Sequence, residues 1–103
     1  MIRAAESQIF LDPTLVEGLA GLELGQKIMV VFYFHRAQGY DLQQHPRGDA
    51  TRPQRGVFAL RSPRRPNPIG VTVVDLLALD GNVLTVGGLD AINGTPVLDL
   101  KPE

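Results

Sequence analysis

Sixteen residues, 55–70, carry four arginines and three prolines, and they limit the chain's fold more than any other stretch. Proline fixes φ and has no backbone donor. Pro63, Pro66 and Pro68 therefore make the stretch around them a stiff loop. Arg65 and Asn67 each precede a proline, which pushes both toward extended backbone. Gly70 closes the loop, and its freedom to take positive φ allows a sharp entry into the next strand. Such a loop holds Arg61, Arg64, Arg65 and Asn67 in set directions. A preorganised group of cationic and amide donors suits an anionic or nucleotide-like ligand.

The elements around this loop read as short strands. Residues 2–11 form an opening strand. Asp12-Pro13 marks a helix start, with Asp12 as N-cap and Pro13 at the first helical position. Leu15, Val16 and Leu19 then share a face of a helix kept short by Gly18 and Gly21. Residues 27–35 are apolar, β-branched and aromatic, and read as a strand buried on both faces. Residues 38–54 are polar and rich in glycine, proline and charge; a loop this long is often functional or disordered. A short strand over 57–60 leads into the arginine–proline loop. Residues 71–79 form the next strand, Asp80-Gly81 a hairpin turn, and 83–89 the return. Asn93-Gly94 turns the chain into a last strand over 96–101. Short strands joined by turns predict an all-β protein, a small single-sheet β-barrel with one short helix, rather than alternating βαβ units.

At 103 residues the chain is one domain, 1–103, with a modest core that a partner subunit would extend. The net charge of −1 hides a local excess: six arginines against Asp49 alone lie between Arg47 and Arg65. With no cysteine, disulfide, thiolate and Cys-based zinc chemistry are excluded. No secretory signal follows Met1, and the apolar run 28–34 is too short to span a bilayer, so a cytoplasmic protein without membrane contact is expected. Walker, G-x-G-x-x-G and G-x-S-x-G patterns are absent.

Individual residues leave alternatives open. His35, next to Arg36 at a strand end, is either a satisfied structural histidine or a ligand-facing group. His35, Asp41 and His45 match no metal-ligand spacing, so no metal is expected. Gly87-Gly88 in a strand marks a bulge or a close approach. Asp90 reads as a turn residue or a site residue, and Lys101 pairs either with Asp99 or with another group. From the residues alone, the reading ends at a small β domain whose rigid basic loop binds an anionic or nucleotide-like ligand.

The stretch 55–70, with 89–102 (Leu89-Asp90-Ala91-Ile92-Asn93-Gly94-Thr95-Pro96-Val97-Leu98-Asp99-Leu100-Lys101-Pro102), closely resembles the TsaA-like (VirR-like) family. Its best characterised members are tRNA threonylcarbamoyladenosine methyltransferases. Phe34-His35-Arg36 and the segment 17–23 fit the same family in order and spacing, and the resemblance covers about nine-tenths of the chain. It implies a small β-barrel working as a homodimer, with its site near the subunit interface. S-adenosylmethionine is the implied cofactor and tRNA the implied partner. The implied reaction carries a methyl group to N6 of a threonylcarbamoyl-adenosine beside the anticodon. Carried over by motif, His35, Arg36, Arg61, Ser62, Asn67, Pro68, Ile69, Gly70, Val71, Leu89 and Asp90 are expected at the cofactor. Asp90 and His35 are candidates for the catalytic base, and Arg64, Arg65 and Arg55 for RNA or the threonyl carboxylate.

The chain departs from the family pattern in several places. It lacks the opening strand bearing Ile-Gly-x-Ile and Ser-Pro. Leu24-Gly25-Gln26 stands where Phe-Ser-His is common, and Leu60 where threonine is common. It stops at Glu103, where a tyrosine often follows Pro102. These departures keep a rival reading in view: a non-catalytic S-adenosylmethionine-, nucleotide- or RNA-binding module on the same fold.

Overall fold

The computed structural model describes residues 6–89 and 93–103. Five strands make one antiparallel sheet: β1 (Glu6–Phe10), β2 (Lys27–Tyr33), β5 (Ile69–Asp80), β6 (Val83–Gly87) and β7 (Val97–Pro102), in the order β1-β6-β5-β2-β7. Two further short strands, β3 (Gln43–Gln44) and β4 (Arg55–Gly56), pair only with each other as a separate ribbon. The all-β expectation is borne out. Among the described residues no ladder joins the edge strands β1 and β7.

Alternation along the strands selects the core. Ile28, Val30 and Phe32 of β2 point to one face, with Val74 and Leu76 of β5 and Leu84 and Val86 of β6, and all are buried. Ile9 of β1 and Leu19 complete the cluster. The expectation that β2 is buried on both faces is corrected. Its second face (Lys27, Met29, Val31, Tyr33) is exposed or half-buried, because no second layer among the described residues covers it.

Asp12 caps as read from the sequence: its Oδ1 accepts from the Thr14 backbone N–H at 2.9 Å and from Thr14 Oγ1 at 2.8 Å. The capped element, Pro13–Leu19, is a 3-10 helix. Of the three residues expected on one face, only Leu19 is buried, while Leu15 and Val16 are exposed. The β5–β6 hairpin turns at Gly81, whose φ of 58° needs glycine. Gly87 marks a close approach, since a Cβ there would lie 3.2 Å from Leu77 Cδ1, beside a register shift between Leu76 and Ala78. Of the two alternatives for Lys101, the structure shows the pairing with Asp99, Nζ to Oδ2 at 2.9 Å.

The strand expected over 57–60 is corrected to a single 3-10 turn, Val57–Ala59. Extended pairing stops at Gly56 because the ribbon partner is only two residues long. Val57 N–H then bonds Leu42 O at 2.8 Å, and Leu60 N–H closes back on Val57 O at 3.1 Å. The loop expected over 38–54 contains β3 and a turn at Pro46–Gly48. The first strand is described from Glu6, so the expected residues 2–5 lie outside the described residues.

Candidate functional site

The register of β2 on β5 places Phe32 opposite Gly70 and Tyr33 opposite Ile69. β2 ends at Tyr33, and Phe34 N–H instead bonds Pro68 O at 2.7 Å. Phe32 and Phe34, two residues apart, face the same way; their ring centroids lie 5.0 Å apart with planes at 70°, an edge-on contact. The two rings close over Gly70. A Cβ on Gly70 would lie 2.6 Å from Phe32 Cζ and 2.8 Å from Phe34 Cε2. The sequence reading required glycine at 70 for positive φ. That reason is corrected, because Gly70 is not among the positive-φ glycines: glycine is needed for space.

The arginine–proline loop arches over this strand start, and Arg65 braces it. Its Nη1 donates to Leu60 O at 2.8 Å and to Ser62 O at 3.4 Å. Ser62 Oγ accepts from Arg64 N–H at 3.2 Å. Two tight backbone bonds, Arg65 N–H to Pro63 O at 3.0 Å and Ile69 N–H to Asn67 O at 2.7 Å, fix the turns between the prolines. The stiffness expected from the prolines is therefore matched by specific contacts.

Between loop and strand lies a cavity of about 530 Å³, a size that accommodates a nucleoside-sized ligand. Its apolar wall is Phe32, Phe34 and Phe58, and its polar groups come from Arg61, Arg65 and Asn67. Ile69, Gly70 and Val71 form the floor at the start of β5. Phe58 is 77% exposed, an unfavourable placement for a phenyl ring that a ligand would relieve.

The cavity gathers five of the expected cofactor residues: Arg61, Asn67, Ile69, Gly70 and Val71. Pro68 adjoins it through its carbonyl bond to Phe34. Ser62 and Arg64 line a neighbouring cavity, which shares Arg61 with the first. Leu89 lies elsewhere, in the wall of a cleft of about 1010 Å³ between β1 and the segment leading into β7. His35 and Arg36 follow β2 without lining these cavities. His35 N–H bonds back to Tyr33 O at 2.9 Å. Arg55 sits exposed on β4. Asp90 lies outside the described residues. Among the described residues no three metal-ligating side chains cluster.

The sequence reading misses the aromatic wall. In it Phe32 and Phe34 belong to a core strand, and Phe58 to a strand leading to the loop. The available signal is the spacing: two phenylalanines at i and i+2 in a strand must share a face.

The model of the tRNA-methyltransferase O N-terminal domain family matches residues 1–103. A probable S-adenosyl-L-methionine-binding protein of Methanothermobacter thermautotrophicus is 45% identical over 97 residues, spanning 94% of this chain and 69% of that protein. The human tRNA (adenine(37)-N6)-methyltransferase is 39% identical over 98 residues, spanning 92% of this chain and 21% of that protein. Among solved structures, a crystal structure of TrmO matches with a TM-score of 0.78 at 39% identity, covering 98% of this chain and 44% of that chain. The chain thus spans less than half of that solved protein and about a fifth of the human one.

Proposed function

The chain belongs to the tRNA-methyltransferase O N-terminal domain family, and from that premise we propose that it binds S-adenosylmethionine in the cavity at Gly70 and directs methyl transfer to N6 of a threonylcarbamoyl-adenosine beside the anticodon of tRNA. The observation that carries this reading is the cavity itself: three phenylalanines, Arg61 and Asn67 around a strand start that Gly70 keeps open. When bound, the cofactor supplies an electrophilic methyl group on a positively charged sulfur. Aromatic rings favour a cation near their faces, so Phe32, Phe34 and Phe58 suit the sulfonium. The Arg61 guanidinium suits the methionine carboxylate, which it can hold with two parallel hydrogen bonds. Asn67 offers both donor and acceptor to a nucleoside edge.

Methyl transfer asks mainly for alignment of donor and acceptor, and the braced loop provides rigid walls. Arg65 acts as a positioning residue, because its guanidinium is engaged by the Leu60 and Ser62 carbonyls. Of the three arginines expected at RNA, Arg55 and Arg64 remain exposed enough for contact. The acceptor nitrogen must lose a proton, and Asp90 and His35 are the groups we assign to that role.

We assign the homodimer to the uncovered face of the sheet. Met29, Val31 and Tyr33 of β2 lie opposite Val73, Val71 and Ile69 of β5, making an apolar stripe open to solvent. The Lys27–Asp75 and Lys101–Asp99 ion pairs border it. Exposed pairs of this kind add little stability, but they give a second copy a self-complementary rim. Ile69 and Val71 belong both to this stripe and to the cavity floor, which supports a site completed near the subunit interface.

The test is nucleoside mass spectrometry after incubating the protein with S-adenosylmethionine and tRNA carrying unmethylated threonylcarbamoyl-adenosine. A gain of one methyl on that nucleoside is expected. Measurable cofactor binding with no methyl gain, while a full-length relative is active in the same buffer, would instead establish the binding-module reading. That second reading is favoured by one observation: His35 and Leu89 do not reach the cavity within this chain.

A further inference from the structure

Next to the Gly70 cavity lies a second one of about 900 Å³, most of whose lining residues carry polar or charged groups. It is bounded by the turn Pro46–Gly48, by β3 and by the start of the arginine–proline loop. Arg47, Arg52, Arg61 and Arg64 line it, against a single lining acid, Asp41. Arg64 Nη2 lies 3.1 Å from Asp41 Oδ2, and Arg52 Nε lies 3.6 Å from Asp49 Oδ2. Arg47 and Arg61 have no ion-pair partner among the described residues. Two of the four cations are therefore unopposed.

The walls are fixed by hydrogen bonds. Gln44 Nε2 donates to Asp41 O at 2.8 Å and to Arg64 O at 2.6 Å, tying the ribbon to the loop. His45 Nδ1 lies 2.8 Å from Arg52 O, closing the turn between them. Arg47 itself sits at φ 54°, a left-handed conformation uncommon outside glycine and one held only where its surroundings impose it. Arg61 lines both cavities, so an anion in the second is delivered to the mouth of the first.

We propose that this second cavity seats the sugar–phosphate backbone of the RNA substrate, with Arg47 gripping one phosphate and Arg52, released from its long contact to Asp49, another, beside the nucleotide whose base is presented at the mouth of the Gly70 cavity. This rests on the methyl-transfer reading for the identity of the strand. One phosphate would fill a small part of 900 Å³, whereas a strand lays successive phosphates across it. Arginine's planar fork matches each of them.

The experiment measures binding of a synthetic anticodon stem–loop RNA by fluorescence anisotropy across salt concentrations, and of S-adenosylmethionine by calorimetry, on the same preparations. The double variant Arg47→Ala/Arg52→Ala is expected to weaken RNA binding roughly tenfold. It should also lower the slope of log affinity against log salt by about 1.4, at about 0.7 for each phosphate no longer neutralised. Its cofactor affinity should be unchanged, which also shows that it folds. Arg47→Lys/Arg52→Lys should restore most of the slope. An alanine variant with unchanged RNA affinity and slope would overturn the proposal. So would displacement of the RNA by inorganic phosphate beyond the effect of ionic strength, which would point to a free anion site. If the wild-type chain binds RNA with the expected slope but takes up no S-adenosylmethionine, the backbone seat stands and the cofactor reading fails.

Discussion

Space governs the residue at position 70. Two phenylalanine rings lie within 2.6–2.8 Å of where its Cβ would stand, and Phe32 is buried, so the rings have little room to yield. Gly70→Ala should therefore overpack this corner and cost about 1–3 kcal/mol in a urea melt. S-adenosylmethionine affinity should also fall, because rings pushed outward enter the cavity. Retained stability together with retained affinity would show that the rings are free to move. Asp12 acts through charge instead. Its carboxyl is held below the ordinary carboxylate value, first by the Thr14 backbone N–H and then by the Thr14 hydroxyl. A group with a depressed folded-state pKa adds stability above its unfolded value near 4 and loses it as pH falls through the folded value. Asp12→Asn keeps an acceptor for the cap but removes the titration. Its stability should therefore change less than the wild type's below about pH 4.

The elements are unequally legible in the sequence, for physical reasons. β5 and β6 can be read because Asp80-Gly81 fixes a turn and both flanks carry regular strand patterns. The capped start at Asp12 can be read because the cap is a local hydrogen bond. The turn Val57–Ala59 reads wrongly as a strand because its four-residue apolar pattern does not separate an extended segment from a turn. The deciding interaction is non-local: Leu42 O lies fifteen positions away and captures Val57 N–H. That residues 67 to 71 lie together is legible because they form one contiguous motif. The separation of Leu89 from them is not, because it depends on which sheet edge each strand joins. Val57 is 1% exposed and anchors the turn that carries Phe58 and leads to Arg61. Val57→Ala should cost about 2 kcal/mol and loosen the loop above Gly70. In hydrogen exchange, faster exchange of the Leu60 amide with β6 unchanged is the expected pattern; uniform loss of protection across the sheet would mean that Val57 supports the whole fold.

At the scale of the molecule, the sheet has one satisfied face and one that is not. A run of apolar residues on both sides of β2 is the pattern of a strand inside two layers, yet the described residues supply one layer. Tyr33, Ile69, Val71 and Val73 are each 39–43% exposed in a continuous stripe, and contiguous apolar patches on a protein surface usually mark an interaction site. A second copy related by a twofold axis would satisfy this face with residues already present, since the same patch would meet itself. Val73 lies in the stripe but not in the cavity wall, so it separates assembly from direct cofactor contact. Val73→Lys should halve the mass seen by light scattering at micromolar concentration while leaving the circular dichroism spectrum intact. A wild-type mass of one chain would rule out the dimer at once. If the variant is a monomer whose S-adenosylmethionine affinity has also dropped, the partner walls the cavity through Ile69 and Val71. If the monomer binds the cofactor as tightly as the wild type, each chain holds a complete cofactor site and the uncovered face serves assembly alone.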